Sequence, residues 1–460
     1  MSDELLDTDG REDEDFALDQ ALVPAVRLAV AAGDTARLAD LLEPLHPADI
    51  ADLLEQLDGG LRREILLLGV GLFDGDVLSE LDEGLREEVI EFLPAHVLSE
   101  AVRELETDDV VDLLEDLEEP QQEAILGALE DADRVAVQRA LSYPEESAGR
   151  LMQREVVIAP EHWNVGEAID YLRTHDELPE QFYHVILTDP RLKPTGYVTL
   201  GKLLGSPRKT LLCDITEDSF RPFRVTQPES DVAYAFNQYH LISAPVVDED
   251  DRIVGVITID DAMVVLDEEH EEDIMRLAGV GEGSLSDRVL NTTRQRLPWL
   301  FVNLITAILA SLVIARFEDT IAQFVALAVL MPIVASMGGN AGTQALTVAV
   351  RAIATKDLTG SNVWRVIRRE VLVGLVNGMI FALVMGFVGY VWFANAALGL
   401  VIAAAMIINL VVAGLAGIFV PVSLEKLGFD PALGSGALVT TVTDVVGFFA
   451  FLGLAAWVLL

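Results

Sequence analysis

The chain has 460 residues, a formal net charge of −44, a pI near 4.3 and a mean hydropathy of +0.37. Acidity on this scale excludes a nucleic-acid binder, which needs basic patches. The single cysteine, Cys213, excludes disulfides within the chain and a thiolate metal cluster. Strong acidity beside positive hydropathy implies two solvents. Leu297 to Leu460 carries seven Lys or Arg and seven Asp or Glu, so the whole excess belongs to residues 1–296. General acidity of a salt-adapted proteome gives the same bulk charge, so charge alone assigns no partner.

Met1 to Asp19 is acidic and polar, without the apolar stretch of a signal peptide, so the soluble part is expected to stay cytoplasmic. Residues 1–20 are expected to be disordered, because little there can be buried. Residues 21–142 read as helices throughout. His46-Pro47-Ala48-Asp49-Ile50 opens an apolar 3.6-residue period, and Thr107-Asp108-Asp109-Val110-Val111-Asp112 repeats the form. Short, similar helices predict an all-α superhelical stack. Capping explains one of Asp108, Asp109 and Asp112, but not all three.

The texture changes at Tyr143-Pro144-Glu145-Glu146-Ser147-Ala148-Gly149-Arg150-Leu151-Met152. Strand-like and helical stretches then alternate twice, with boundaries at 143–205 and 206–268. Each unit reads β-α-β-β-α, and together they resemble a tandem pair of CBS domains. Thr258-Ile259-Asp260-Asp261 matches the Ser/Thr-x-x-Asp by which nucleotide-binding members of that family contact ribose and phosphate. The corresponding Thr199-Leu200-Gly201-Lys202 lacks the Asp, so one ATP-type site at most is expected, at Thr258 and Asp261. Residues 269–296 form a mostly helical link that starts in the acidic run Asp267 to Asp273.

Residues 297–460 contain five apolar segments. Ile321 to Val350 holds 30 uncharged residues, too long for one plain span. Val371 to Leu424 must be two helices turning near Asn395. Basic residues gather before the first segment (Arg288, Arg294, Arg296) and between the second and third (Arg351, Lys356, Arg365, Arg368, Arg369). That asymmetry places the N-terminus inside and the C-terminus outside. In the last segment Asp444 is the only charge from Pro431 to Leu460. An ionised Asp at the centre of a span costs about 2.5–3.5 kcal/mol, and no base within a hydrophobic segment can offset it. Thr440 and Thr441 share its helix face. The oxygen-rich patch suits a hard cation. In the second segment, Met331-Pro332 and Gly338-Gly339-Asn340-Ala341-Gly342-Thr343-Gln344 weaken a helix. Two readings are open: broken backbone that, with Asn340 and Gln344, faces a hydrated ion, or close glycine packing. Beside Asp444, the first is favoured.

This order of parts resembles the MgtE magnesium channels over residues 21–460. The carrying motifs are the Tyr143–Met152 junction, the CBS pair, Gly338-Gly339-Asn340-Ala341-Gly342, and Asp430-Pro431-Ala432 followed by Thr441 and Asp444. The resemblance implies a multi-domain, membrane-embedded homodimer with a five-helix transmembrane domain and a pore between subunits. Asp444 matches the pore aspartate that holds hydrated Mg²⁺. Cytosolic Mg²⁺ sensor sites carry over to Asp108 and Asp112, to Asp261, Glu269, Glu272 and Asp273, and to Asp430. Val264 stands at a sensor position where the family pattern can have Asp. Mn²⁺, Co²⁺ and Zn²⁺ are alternative cargoes. A CBS-regulated anion channel is disfavoured because the one intramembrane charge is negative. An enzyme is not expected, since no His follows His270.

Overall fold

In the computed structural model, residues 18–19, 21–69, 73, 75–93, 95–103, 105–115, 117, 119–175, 178–179, 181–217, 220–280 and 289–460 are described. The acidic tail of residues 1–17 and Arg288 lie outside them. Two units are distinct, Met1–Asp267 and Glu268–Leu460.

The first unit opens with ten helices among the described residues, from Leu22–Ala32 to Asp131–Ala140. None exceeds 11 residues. Such short helices are marginal alone and depend on packing. One continuous core supplies it, running from Val26 through Leu53, Leu78 and Leu113 to Ala140. Part of the acidity is spent on helix starts. Asp34 accepts from Arg37 N at 3.0 Å, and Asp58 from Leu61 N at 3.1 Å. Thr107 does not cap: its hydroxyl donates to Glu155 Oε1 at 2.9 Å.

Two three-stranded sheets follow. β1 (Ile158–Pro160), β2 (His184–Thr188) and β3 (Pro194–Thr199) form the first, and β4 (Phe223–Arg224), β5 (Ser243–Val247) and β6 (Ile253–Thr258) the second. In each sheet the first two strands are parallel, across a helix, and the last two antiparallel. The central strands β2 and β5 are buried along their whole length, as apolar runs of this kind require. The Tyr143–Met152 junction lies on the second module: Gly149 N donates to Val225 O at 3.0 Å, and Gln153 pairs with Val256 in both directions at 2.9 Å. Ala148 and Met152 enter that module's core. Gly149 is required there, since a Cβ would stand 2.6 Å from the Tyr143 ring.

The second unit contains the C-terminal turns of the Ile259–Leu277 helix and five long apolar helices: Val289–Ala315, Ala326–Ala354, Val363–Phe393, Ala396–Lys426 and Ser435–Leu459, here the first to fifth spans. Asn395 accepts from Ala397 N and Leu398 N, which starts the fourth span where the turn is expected. Glycines let the third and fourth spans approach closely. A Cβ at Gly374 would lie 2.5 Å from Leu410 O, and one at Gly399 2.7 Å from Gly386 O.

The second span corrects the sequence reading in two respects. The long apolar stretch divides into a short helix, Glu318–Gln323, and one continuous helix of 29 residues. Its backbone is unbroken through Pro332 and the glycine motif. Helix-weakening by glycine is about 1 kcal/mol per residue in water, and tertiary contacts outweigh it here. Gly338 packs on Asn409, and Gly342 on Val439, where added Cβ atoms would lie 2.2 and 2.6 Å away. Close packing therefore accounts for both glycines.

Candidate functional site

The fifth span is set up by its approach. Asp430 Oδ1 accepts from Ala432 N at 2.7 Å, and Gly434 takes a left-handed φ of 72°. A side chain at Gly434 would also press within 3.0 Å of the Trp299 ring. The helix that follows carries Thr440, Thr441 and Asp444 within five residues. The Thr440 hydroxyl donates to Gly436 O at 2.8 Å and the Thr441 hydroxyl to Ala437 O at 2.5 Å. Both protons are thus committed to the helix, and the oxygen lone pairs face outward.

Asp444 and Thr440 line a cavity of about 350 Å³. Its other polar walls are Asn303 and Thr306 of the first span, with Arg276 and Gly279 at the C-terminal end of the Ile259–Leu277 helix. Trp299 backs onto Gly279. Asp444 is half-buried and has no ion-pair partner among the described residues. Asn340 and Gln344 sit four apart on an exposed face of the second span and do not line this cavity. Neither does Thr441. Of the glycine motif, Gly339 faces the cavity-lining Thr440, where a Cβ would stand 3.9 Å from its methyl.

Sequence reading missed Asn409. It is fully buried, donates from Nδ2 to Val334 O at 2.7 Å, and leaves Oδ1 without a partner among the described residues. Gly338 and Gly447 flank it, and a Cβ on either would collide with its amide. One side chain thus ties the second, fourth and fifth spans together, meeting the fifth at Gly447, three residues after Asp444. The signal was available: Asn409 is the only strongly polar residue between Asn395 and Ser423.

A second acidic group lies at the end of the Ile259–Leu277 helix. Glu272 pairs with Arg276 at 2.6 Å, and Arg276 reaches Asp430 at 3.3 Å. Burial and the neighbouring Asp430 raise the Asp273 carboxyl above its usual range. Glu269 stands on the same helix, partly buried. Arg276, which sequence reading did not single out, is the basic residue through which this group holds together.

The third group lies inside the first unit. Asp108 is only 7% exposed. Burial, then the charge of Asp261, push its carboxyl well above the ordinary range. Burial raises Asp261 to about 7, Glu106 to about 7 and Asp109 to about 6, each with further carboxylates adding to the effect. Glu106 accepts a hydrogen bond from Gln153. Asp112 pairs with Arg86 at 2.6 Å, and its charge, next after burial, helps raise Asp109. The chain therefore brings Asp108 and Asp261 together, with Asp109 and Glu106 beside them. Thr258 and Asp261 close on each other: Asp261 Oδ2 accepts from Thr258 Oγ1 at 2.7 Å and from Thr258 N at 3.3 Å. Val264 is exposed and supplies no donor. Among the described residues, no three His, Cys, Asp or Glu converge as a ready metal shell.

Three family profiles match. They are a divalent cation transporter profile, MgtE, over residues 331–454, an MgtE intracellular N domain over 45–146, and CBS domains over 148–208 and 215–268. The magnesium transporter MgtE of Enterococcus faecalis is 35% identical over 320 residues, 70% of this chain and 71% of that one. The magnesium transporter MgtE of Thermus thermophilus is 31% identical over 448 residues, 95% and 98% of the two chains. A solved cytosolic domain of the Mg²⁺ channel MgtE in complex with ATP is 30% identical, with a TM-score of 0.49, covering 53% of this chain and 99% of that one. On the identity and span of these relatives, the chain is a multi-pass membrane protein that belongs to the MgtE family.

Proposed function

We propose that the protein is a magnesium channel, gated by Mg²⁺ on its acidic soluble side. The observation that carries the reading is Asp444, a lone carboxylate among hydroxyl oxygens in a cavity within the spans. Mg²⁺ sheds its waters reluctantly and keeps octahedral coordination. Six waters occupy roughly 180 Å³ at about 30 Å³ each, which the cavity's 350 Å³ accommodates. The donors able to face a cation there are the Asp444 carboxylate, two threonine hydroxyls and the Asn303 amide oxygen, a set that favours Mg²⁺ over Zn²⁺ or Co²⁺, which gain more from imidazole and thiolate ligands. As in the relatives' printed activity, the cargo is then magnesium. A homodimer with two copies of Asp444 beside one axis, the N-terminus inside and the C-terminus outside, completes the proposal. The test is uptake into reconstituted vesicles with each metal in turn. Mg²⁺ flux lost in Asp444→Asn, with folding retained, supports it; unchanged uptake rejects it.

Closure is assigned to the two acidic groups, Asp108 with Asp261, and Glu269, Glu272 and Asp273 with Asp430. Metal bound at either offsets carboxylate repulsion and favours one arrangement by its differential affinity. An adenine nucleotide is proposed as a further ligand at Thr258 and Asp261. It would compete with the hydrogen bonds that those two residues now share. Titration calorimetry with ATP should give heat that Thr258→Val removes, and no heat from the unmodified protein rejects the site.

A further inference from the structure

The third span begins with an arginine group that the transport reading does not use. Arg365, Arg368 and Arg369, with Leu372, Val373, Val376 and Asn377, line a basin of about 430 Å³ on one helix face. The spacing explains the grouping, since residues three, four and seven apart share a face. All three arginines are exposed, and none has a carboxylate partner among the described residues. In a chain of net charge −44, three neighbouring unpaired guanidinium groups form an isolated anion-attracting locus. The one acid within the run, Glu370, forms no ion pair with these arginines among the described residues, and its backbone carbonyl packs against Gly414 of the fourth span.

The floor of the basin is apolar and continues downward. Leu372, Val376, Leu383 and Phe387 are 52%, 50%, 77% and 69% exposed along the same outer face. Trp364, 80% exposed, stands one residue before the group, as aromatic residues do at membrane boundaries. We infer that this basin is a binding site for an anionic phospholipid. The phosphate is held by Arg365, Arg368 and Arg369, and an acyl chain runs along Leu372 and Val376. Guanidinium groups bind phosphate through paired N–H donors. The Asn377 amide, lower on the wall, can donate to an ester carbonyl. A soluble phosphate would satisfy the arginines but leave the apolar wall uncovered, so the geometry favours the lipid.

The experiment uses the purified full chain in detergent with equimolar phosphatidylglycerol and phosphatidylcholine, and reads retained lipid by mass spectrometry. Unmodified protein should retain phosphatidylglycerol in excess. Each arginine replaced by Gln should lower that enrichment about fivefold, given the attraction of one interfacial base for an anionic surface. The variant with Arg365, Arg368 and Arg369 all replaced by Gln should abolish the enrichment, and Arg369→Gln alone serves if that triple variant does not fold. Arg351→Gln, at the end of another span, should change nothing. Equal enrichment in unmodified and Gln variants overturns the site. Displacement of the lipid by inorganic phosphate at the same concentration overturns the lipid assignment, because it shows that the apolar wall contributes nothing. Displacement by an acidic peptide alone points to a protein segment on this face and equally overturns it.

Discussion

Asp444 and Asp261 are both half-buried aspartates, yet their surroundings oppose each other. Around Asp444 the cavity offers hydroxyl oxygens, an amide and the Arg276 guanidinium, which is already paired with Glu272 and Asp430, and no second carboxylate stands on its helix. Around Asp261 are Asp260, Asp109 and Asp108. A solitary carboxylate attracts a hydrated cation without a dense ligand shell, so the ion can leave again, which suits passage. Crowded carboxylates repel each other until a cation or a proton arrives, which suits sensing. On the proposed function, position in the fold sets the role, since the residue type is the same.

The sharpest way to break this contrast is to remove the single charge at one place and several of the crowded charges at the other. Asp444→Asn should lower Mg²⁺ flux roughly 100-fold or more, from the Coulomb attraction of a hydrated divalent ion at about 5 Å. Replacing Asp108, Asp112, Glu269 and Glu272 with Ala should instead leave flux intact and keep the channel open at high cytoplasmic Mg²⁺. Tracer uptake against internal Mg²⁺ separates the two. If the quadruple variant closes at the unmodified concentration, the acidic groups are not the sensor.

A smaller effect tests how Asp444's helix is held. Gly338→Ala puts a methyl 2.2 Å from the Asn409 amide, and overpacking of this kind costs about 1–3 kcal/mol. Gly339→Ala meets only the Thr440 methyl at 3.9 Å and should be tolerated. Thermal unfolding in detergent reads the difference. Equal midpoints for the two variants would show that Asn409 does not lock the second, fourth and fifth spans. Asn409→Ala should lower stability as well, because it removes the 2.7 Å bond to Val334 O and opens a void.

Those residues also show where sequence reading stops. Asp444, the five spans and the β-α-β-β-α order are local signals: charge against hydropathy, period and turn. Asn409 and Val334 are 75 residues apart, and Arg276 meets Asp430 across an even longer stretch. Nothing in local pattern joins them. Asp112 illustrates the same limit: its partner Arg86 lies in a neighbouring helix of the stack, 26 residues away. The glycine motif misled for a different reason. Helix propensity ranks glycine low in water, but the spans gain more from backbone approach than each glycine loses.

The mildest perturbation is pH, and its sign follows from the crowded group alone. Burial and mutual repulsion raise Glu106 and Asp261 to about 7 and Asp109 to about 6, against ordinary values of 4.5 and 3.8. A carboxyl raised in the folded state binds its proton more tightly there than in the opened chain. Its stabilising contribution is fully present below the ordinary value and is lost as pH rises through the raised one. The metal-free soluble part should therefore resist protease better near pH 5 than near pH 8. Added Mg²⁺ should restore resistance mainly at the higher pH, where it replaces the missing protons. Asp261→Asn removes one titrating member and should flatten the dependence between about pH 4 and 7, the interval between its ordinary and raised values. Resistance that instead grows with pH in the metal-free protein would mean that these carboxylates are ionised and solvated. The distinction between crowded and solitary aspartates would then lose its physical basis.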